Sequence, residues 1–316
     1  MRLARVIAVP LLCLLATAAV AGDFRVTLLG TGSPQPRMDR FGPATLVEAG
    51  GKILLFDVGR GAATRLVQLG VSLGEIDAVF LTHFHHDHLI GLDDIWMTGW
   101  LPPYGGRQSP MQVWGPTGTR NLLSGLQKTF ELNTGVRIAD QGLPLEGVEF
   151  TAHEFAEDSV VYESAGVTVT AFAVDHGELI KPAYGYRVDY GGRAVVISGD
   201  TRFDRNLIAA AKGADLLIHE VVLVSDELLK TSEAIRIITA HHTMPEEAGI
   251  VFDEVNPKLA VYTHLVSLGS AEIAAEPLEN LLPRTRMNYG GPLVIGEDLM
   301  RFEIGDTIEI LAPPDD

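Results

Sequence analysis

The chain has 316 residues, 47% hydrophobic and 21% charged, with a formal net charge of −17 at pH 7. This composition suits one large globular domain or two small ones, and it excludes fibrous and disordered classes. So acidic a chain presents an unfavourable long-range field to a polyanion, so the charge argues against a nucleic-acid partner.

The first recognisable element is N-terminal. Arg2 and Arg5 precede the apolar run Val6 to Val20, and Ala19-Val20-Ala21 forms a small-x-small site before Gly22. That is the pattern of a signal peptide over residues 1–21, cleaved near Ala21-Gly22. The expected location is therefore periplasmic or secreted. The run falls short of the roughly 20 residues a membrane span needs, so we expect no stable span in the mature chain. The single cysteine, Cys13, lies inside this segment. Lipoprotein anchoring there is disfavoured by the bulky Leu12, and the mature chain would hold no disulfide. Residues 22–316 are read as one domain.

Onward from Phe24, short β-rich runs alternate with helical patterns. Phe24 to Leu29, Ala44 to Val47 and Ile53 to Phe56 are predicted strands, punctuated by glycine and proline. Arg60 to Leu69 is a predicted helix, and Ile76 to Leu81 a strand that delivers a histidine cluster. Val167 to Val174, Tyr184 to Asp189, Ala194 to Ile197, Leu216 to Ile218 and Leu259 to Tyr262 follow as strands. Helices are expected at Pro245 to Glu254 and Ala271 to Leu282, the second interrupted by Pro277. This interleaving predicts an α/β fold in which two sheets stack and helices cover them.

The segment Thr82-His83-Phe84-His85-His86-Asp87-His88 leaves a predicted strand. His83, His85, Asp87 and His88 are four potential metal ligands in the spacing H-x-H-x-D-H, and neutral imidazole and carboxylate suit zinc. Further donors follow other predicted strands: His176, Asp200 in Ser198-Gly199-Asp200-Thr201, and His264 in Tyr262-Thr263-His264. A lone histidine is more often structural than metal-bound. Five histidines and two aspartates, all at strand ends, form a constellation. Gly30, Gly32 and Gly59-Arg60-Gly61 lack the spacing of a phosphate-binding loop and are read as tight turns.

With these motifs the sequence resembles the metallo-β-lactamase superfamily, from about Phe24 to near the C-terminus. Within it the chain is similar to the branch holding ribonuclease Z and exported arylsulfatases. Leu29-Gly30-Thr31-Gly32-Ser33-Pro34, Phe56-Asp57-Val58-Gly59, Ala183-Tyr184-Gly185-Tyr186-Arg187, His219-Glu220 and His242-Thr243 carry the likeness. The resemblance implies an αββα sandwich of the metallo-β-lactamase fold and two Zn2+ per chain, with iron or manganese as alternatives. It further implies that His83, His85 and His176 hold one ion, that Asp87, His88 and His264 hold the other, and that Asp200 bridges them. Asp57 is expected to support the ligand loop. Asp87, His242 and Glu220 are the candidate catalytic residues, with Glu220 orienting His242 as proton donor. His86, His153 and His241 match no ligand motif and are read as structural or exposed.

The expected substrate is a small anionic sulfate or phosphate ester, cleaved as by an arylsulfatase or phosphodiesterase. Lactone or β-lactam hydrolysis on the same metals is the alternative. Three observations argue against tRNA cleavage beside the charge: Asp189 to Arg193 leave no room for a basic tRNA-gripping arm, Arg60-Gly61-Ala62 stands where the tRNA enzymes place Glu-Gly-Thr, and the N-terminus reads as an export signal. Arg40-Phe41-Gly42-Pro43 and Trp96 to Pro102 resemble the arylsulfatase group. Trp96, Trp100 and Tyr104 are candidates to line an aromatic-friendly cleft, with helix packing as their other reading. Leu101 to Gln108 and Glu154 to Ser164 are expected to shape the pocket. A homodimer is compatible with the sequence, and a non-catalytic metal-binding module is the remaining alternative.

Overall fold

A computed structural model describes residues 23–311; the expected signal peptide and Cys13 lie outside the described residues. The first six strands are β1 (Phe24–Gly30), β2 (Ala44–Ala49), β3 (Lys52–Phe56), β4 (Ala78–Phe80), β5 (Met111–Pro116) and β6 (Phe150–Phe155). The next seven are β7 (Ser159–Ser164), β8 (Val167–Ala173), β9 (Tyr184–Tyr190), β10 (Arg193–Ile197), β11 (Leu216–Leu223), β12 (Leu259–Ser267) and β13 (Leu293–Ile295). The hairpin β14 (Arg301–Ile304) and β15 (Ile308–Leu311) then returns to the edge of the first sheet. The sheet orders are β15-β14-β1-β2-β3-β4-β5-β6 and β13-β12-β11-β10-β9-β8-β7.

The period-2 alternation of strands explains the layering. Phe24, Val26 and Leu28 face the second sheet and pack with Val169, Tyr186, Val195 and Ile218 in the central core. Leu46, Leu55 and Val79 face outward and are covered by helices α1 (Ala62–Gln68) and α2 (Leu92–Gly99), through Leu66, Ile95 and Trp96. Helices α3 (Thr119–Thr129) and α4 (Glu131–Gln141) lie beyond β5, and α5 (Arg205–Ala210), α6 (Asp226–Thr231) and α7 (Glu233–Thr239) join the later strands. On the far face, Val196, Leu217 and Tyr262 pack under α8 (Pro245–Val255), through Ala248, Val251 and Phe252, with α9 (Leu281–Thr285) beside it. The expected αββα sandwich is therefore what the chain forms. Among the described residues, no helix is long and apolar enough to cross a membrane.

Three expectations need correction. The helix expected over Ala271 to Leu282 is absent before residue 278, and α9 starts only at Leu281. Pro277 lacks an N–H, and a residue before proline is pushed out of the helical region, so the pattern breaks there. Strands β11 and β12 run on past Ile218 and Tyr262, so His219, Glu220 and His264 lie within strands rather than after them. Both strands are buried on both faces, which erases the alternation that marks a strand's end.

Candidate metal centre

Strands β3, β4 and β5 are parallel, as are β10, β11 and β12, so their carboxyl ends form common rims. Ligand sites of open α/β sheets fall at such rims. The turn leaving β4 carries His83, His85, Asp87 and His88. His176 follows β8, Asp200 follows β10, and His264 sits where the pairing of β11 with β12 shifts register.

The structure brings all seven together. Donor atoms of His83, His85, His176 and Asp200 lie within 4.8 Å of one another, and so do those of Asp87, His88 and His264. Asp200 Oδ2 stands between the groups, 3.3 Å from His88 Nε2 and His264 Nε2, 3.7 Å from His176 Nε2 and 3.9 Å from His83 Nε2. Asp87 Oδ2 is 3.3 Å from His264 Nε2. His176 Nε2 is 3.2 Å from His85 Nδ1.

The outer nitrogens are held by the protein. His88 Nδ1 lies 2.7 Å from Asp57 Oδ2, His83 Nδ1 2.9 Å from Thr82 Oγ1, and His176 Nδ1 2.8 Å from the His241 carbonyl. Such contacts fix ring orientation and leave Nε2 facing inward. Asp57 also accepts from Thr82 N and Thr82 Oγ1, each at 2.8 Å, so it supports the ligand turn as expected. Glu220 accepts from Thr243 N at 2.8 Å and contacts His242 Nδ1 at 3.1 Å, which aligns that ring beside the cluster.

Two ends of this apparatus adopt backbone that L-residues seldom take. Asp57 has φ 56° and His264 φ 43°. Left-handed non-glycine residues cost energy and concentrate at functional sites.

The residues present fit metal ions. Buried His83 Nε2, His88 Nε2 and Asp200 Oδ1 have no hydrogen-bond partner. A buried polar atom left unpaired is costly, and a cation is the partner that this donor set suits. Burial, aided by neighbouring His88, lowers the His83 pKa well below its ordinary value, and burial brings His176 to about 4. Both shifts favour the neutral imidazole that a ligand presents, whereas at His88 burial is overcome by Asp200 and Asp57, which push its pKa well above the ordinary value. Burial opposes a charge on His242 too, but Glu220 overcomes it and raises the pKa to about 9. Asp200 is likewise buried, yet His264 and His88 hold its carboxyl well below the usual range.

Sequence reasoning missed two contributors: Thr82 Oγ1, which holds His83, and the His241 backbone carbonyl, which holds His176. A main-chain acceptor leaves no mark in residue type. His86 is exposed, and His153 stacks on Trp114 with its Nε2 2.8 Å from Gln112, so neither joins the cluster. The aromatic cleft is also corrected. Trp96 and Trp100 are buried, their indole N–H groups donating to the carbonyls of Val148 and Pro144. Tyr104 lies beside Val67 and Leu73, where Gly105 packs on Gly74. A buried indole needs a partner for its N–H, and the Val148 and Pro144 carbonyls supply one to each ring inside the core.

Fold and donor set together define the class. Residues 54–265 match the Beta-lactamase superfamily domain, and the chain belongs to the metallo-β-lactamase superfamily of hydrolases. Among curated relatives it is similar to Ribonuclease Z of Mycobacterium marinum, 33% identical over 279 residues, covering 88% of this chain and 98% of that protein. Among solved structures it is similar to the metallo-beta-lactamase fold protein YhfI from Bacillus subtilis: TM-score 0.69, 21% identity, 89% of this chain and 99% of that one. The short form of human tRNase Z gives TM-score 0.63 at 23% identity, covering 92% of this chain and 100% of that one.

These relatives overturn the expectation of a small sulfate or phosphate ester as substrate, of arylsulfatase-type activity, and of no nucleic-acid partner. The alignment carries a ribonuclease name across nearly the whole length of both chains. It also removes the argument from the missing arm. An aligned stretch of 279 residues that makes up 98% of the relative leaves that relative no room for a long insertion either. Net charge does not decide the partner, because it averages the whole surface whereas a substrate meets one local face.

Proposed function

We infer that the protein is a metal-dependent endonuclease of the ribonuclease Z type, which hydrolyses a phosphodiester bond in RNA and takes tRNA precursors as substrate. The observation that carries this reading is the convergence of seven donors from two sheets, all but His85 buried, in a chain of which 88% aligns with a ribonuclease Z relative. His83, His85 and His176 would hold one zinc ion, Asp87, His88 and His264 a second, with Asp200 between them. Bound cations of this kind polarise a phosphoryl oxygen and lower the pKa of water.

The chain's own residues do the rest. Thr82, Asp57 and the His241 carbonyl keep the ligand rings in register before substrate arrives. Glu220 holds His242 in its protonated form, and the ring's other nitrogen is placed to give that proton to the leaving oxygen. Asp87 reaches His264 from the turn, its Oδ2 3.3 Å from His264 Nε2, and so links the first sheet's ligands to the second's. Export, expected from the N-terminal pattern, is a separate proposal that this substrate does not need, and fractionating cells that carry a C-terminally tagged chain tests it.

The experiment is cleavage of a tRNA precursor by zinc-loaded protein, read on a gel against an Asp200→Ala control. Specific cleavage by the wild type alone is expected. A metal-loaded, folded wild type that leaves the precursor intact overturns the substrate, and equal cleavage by both proteins overturns the site.

A further inference from the structure

Tyr186 stands in the core of the sandwich and touches no candidate ligand, yet it bonds to the turn that carries four of them. Its hydroxyl donates to the carbonyl of Leu81 at 2.5 Å, two residues before His83. The side chain is fully buried, its ring packed on Phe56 at 5.3 Å and Phe80 at 5.6 Å between centroids. Two residues earlier on the same strand, Tyr184 N donates to the Thr82 carbonyl at 3.0 Å. Strand β9 of the second sheet is thereby tied to the exit of β4 in the first.

The other side of β9 faces the Asp200 turn. Tyr186 pairs with Ile197 in the β9–β10 ladder, three residues before Asp200. Gly199, with φ 62°, passes so close to the Tyr184 carbonyl that a Cβ there would fall 2.5 Å from it. One short stretch of backbone, Tyr184 to Tyr186, therefore meets both the His83–His88 turn and the turn presenting Asp200.

We propose that Tyr186 is a positioning residue that sets the spacing between the His83–His88 turn and Asp200, and so tunes the affinity of the centre for its ions. The hydroxyl is the part that acts. A phenyl ring in its place keeps the packing but leaves the Leu81 carbonyl unpaired, and the turn is then free to shift along the sheet edge. Tyr190, on the same strand, supplies the comparison: its hydroxyl bonds Asp23, away from the cluster. This inference rests on the metal-centre reading and deepens it.

The test is zinc affinity by chelator competition for wild type, Tyr186→Phe and Tyr190→Phe. Loss of a group that orients ligands typically costs 10–100-fold in affinity. Tyr186→Phe should bind zinc about tenfold more weakly, with kcat reduced and KM within about twofold, while Tyr190→Phe should match the wild type in affinity. Equal affinity of Tyr186→Phe and wild type overturns the proposal, as does an equal loss in both variants, which marks general weakening of β9. Should Tyr186→Phe not fold, the wild type serves instead. The buried Tyr186 hydroxyl proton should shift its NMR signal when zinc is added, and an unmoved signal overturns the proposal. A wild type that binds no metal overturns the metal-centre reading itself.

Discussion

Between Phe80 and Leu89 the first sheet places four candidate ligands on one turn, and their supports are near at hand: Asp57 on the adjoining strand end holds both Thr82 and His88. The second sheet works differently. His176, Asp200 and His264 each arrive alone from a separate strand, and each is placed only when β8, β10 and β12 have found their neighbours. One half of the site is thus local and could keep much of its shape from nearby contacts, whereas the other half is a product of topology. Ions that need both halves report on closure of the sandwich as well as on chemistry, because they bind only where the two sheets have met.

The largest effect should come from the residue that belongs to both groups. Asp200→Ala removes the carboxylate that lies within 3.9 Å of two ligands from each sheet, His83 and His88 on one side and His176 and His264 on the other. RNA cleavage should fall by more than about a hundredfold, beyond the 10–100-fold usual for groups outside the ligand shell, and metal content should fall with it. Undiminished metal content in that variant, measured by elemental analysis, breaks the comparison, since it means one sheet suffices.

Metal removal comes next. A ligand present at 100 times its Kd adds about 2.7 kcal/mol to stability. At roughly 2–4 °C per kcal/mol for a domain of this order, chelation should lower Tm by about 5–10 °C. Calorimetry with and without chelator reads this directly. An unchanged Tm separates the ions from sheet closure.

Asp57→Asn should act on the local half alone. Asparagine tolerates the left-handed backbone at φ 56°, so the turn itself can persist. The charge facing His88 Nδ1 is lost, and metal affinity should fall about 10–100-fold with little change in fold. A wild-type affinity in Asp57→Asn would mean the turn needs no support and would sharpen the contrast between the halves.

The same contrast explains what could be read from the sequence. His83, His85, Asp87 and His88 are legible because local spacing alone creates the motif. The scattered donors were legible as candidates because each follows a predicted strand, while their grouping around particular ions came only from family resemblance, since nothing near His264 in the chain says which partners it meets. The β strands of the sandwich were readable where one face alternates with the other, and less so at β11 and β12, where burial on both faces hides the ends. Strands β5, β6 and β7 and the closing hairpin β14–β15 were not anticipated. Strands β5, β6 and β14 pair with partners far along the chain, as in Met111 against Phe150 and Val26 against Phe302, whereas β7 and β15 are edge strands held only by local hairpins to β8 and β14. Substrate was least legible of all, because the same donor set serves several ester chemistries and overall charge says little about one cleft.

The smallest effect is expected from the segment that was to shape the pocket. Tyr104 presents 48% of its surface to solvent and rests beside Val67 and Leu73. Its backbone carbonyl accepts from Ser72 Oγ at 3.3 Å, a contact that truncating the side chain leaves intact. Nothing in this arrangement reaches the turn at His83 or the strands that bring His176, Asp200 and His264. Surface substitutions away from caps, cores and networks stay within about 0.5 kcal/mol. Tyr104→Ala should therefore leave Tm nearly unmoved and kcat/KM for RNA within about twofold. A tenfold loss in kcat/KM at unchanged Tm would put Leu101 to Gln108 in the path of the substrate, and the active surface would then extend across the α2 end of the first sheet as well as over the metal rim.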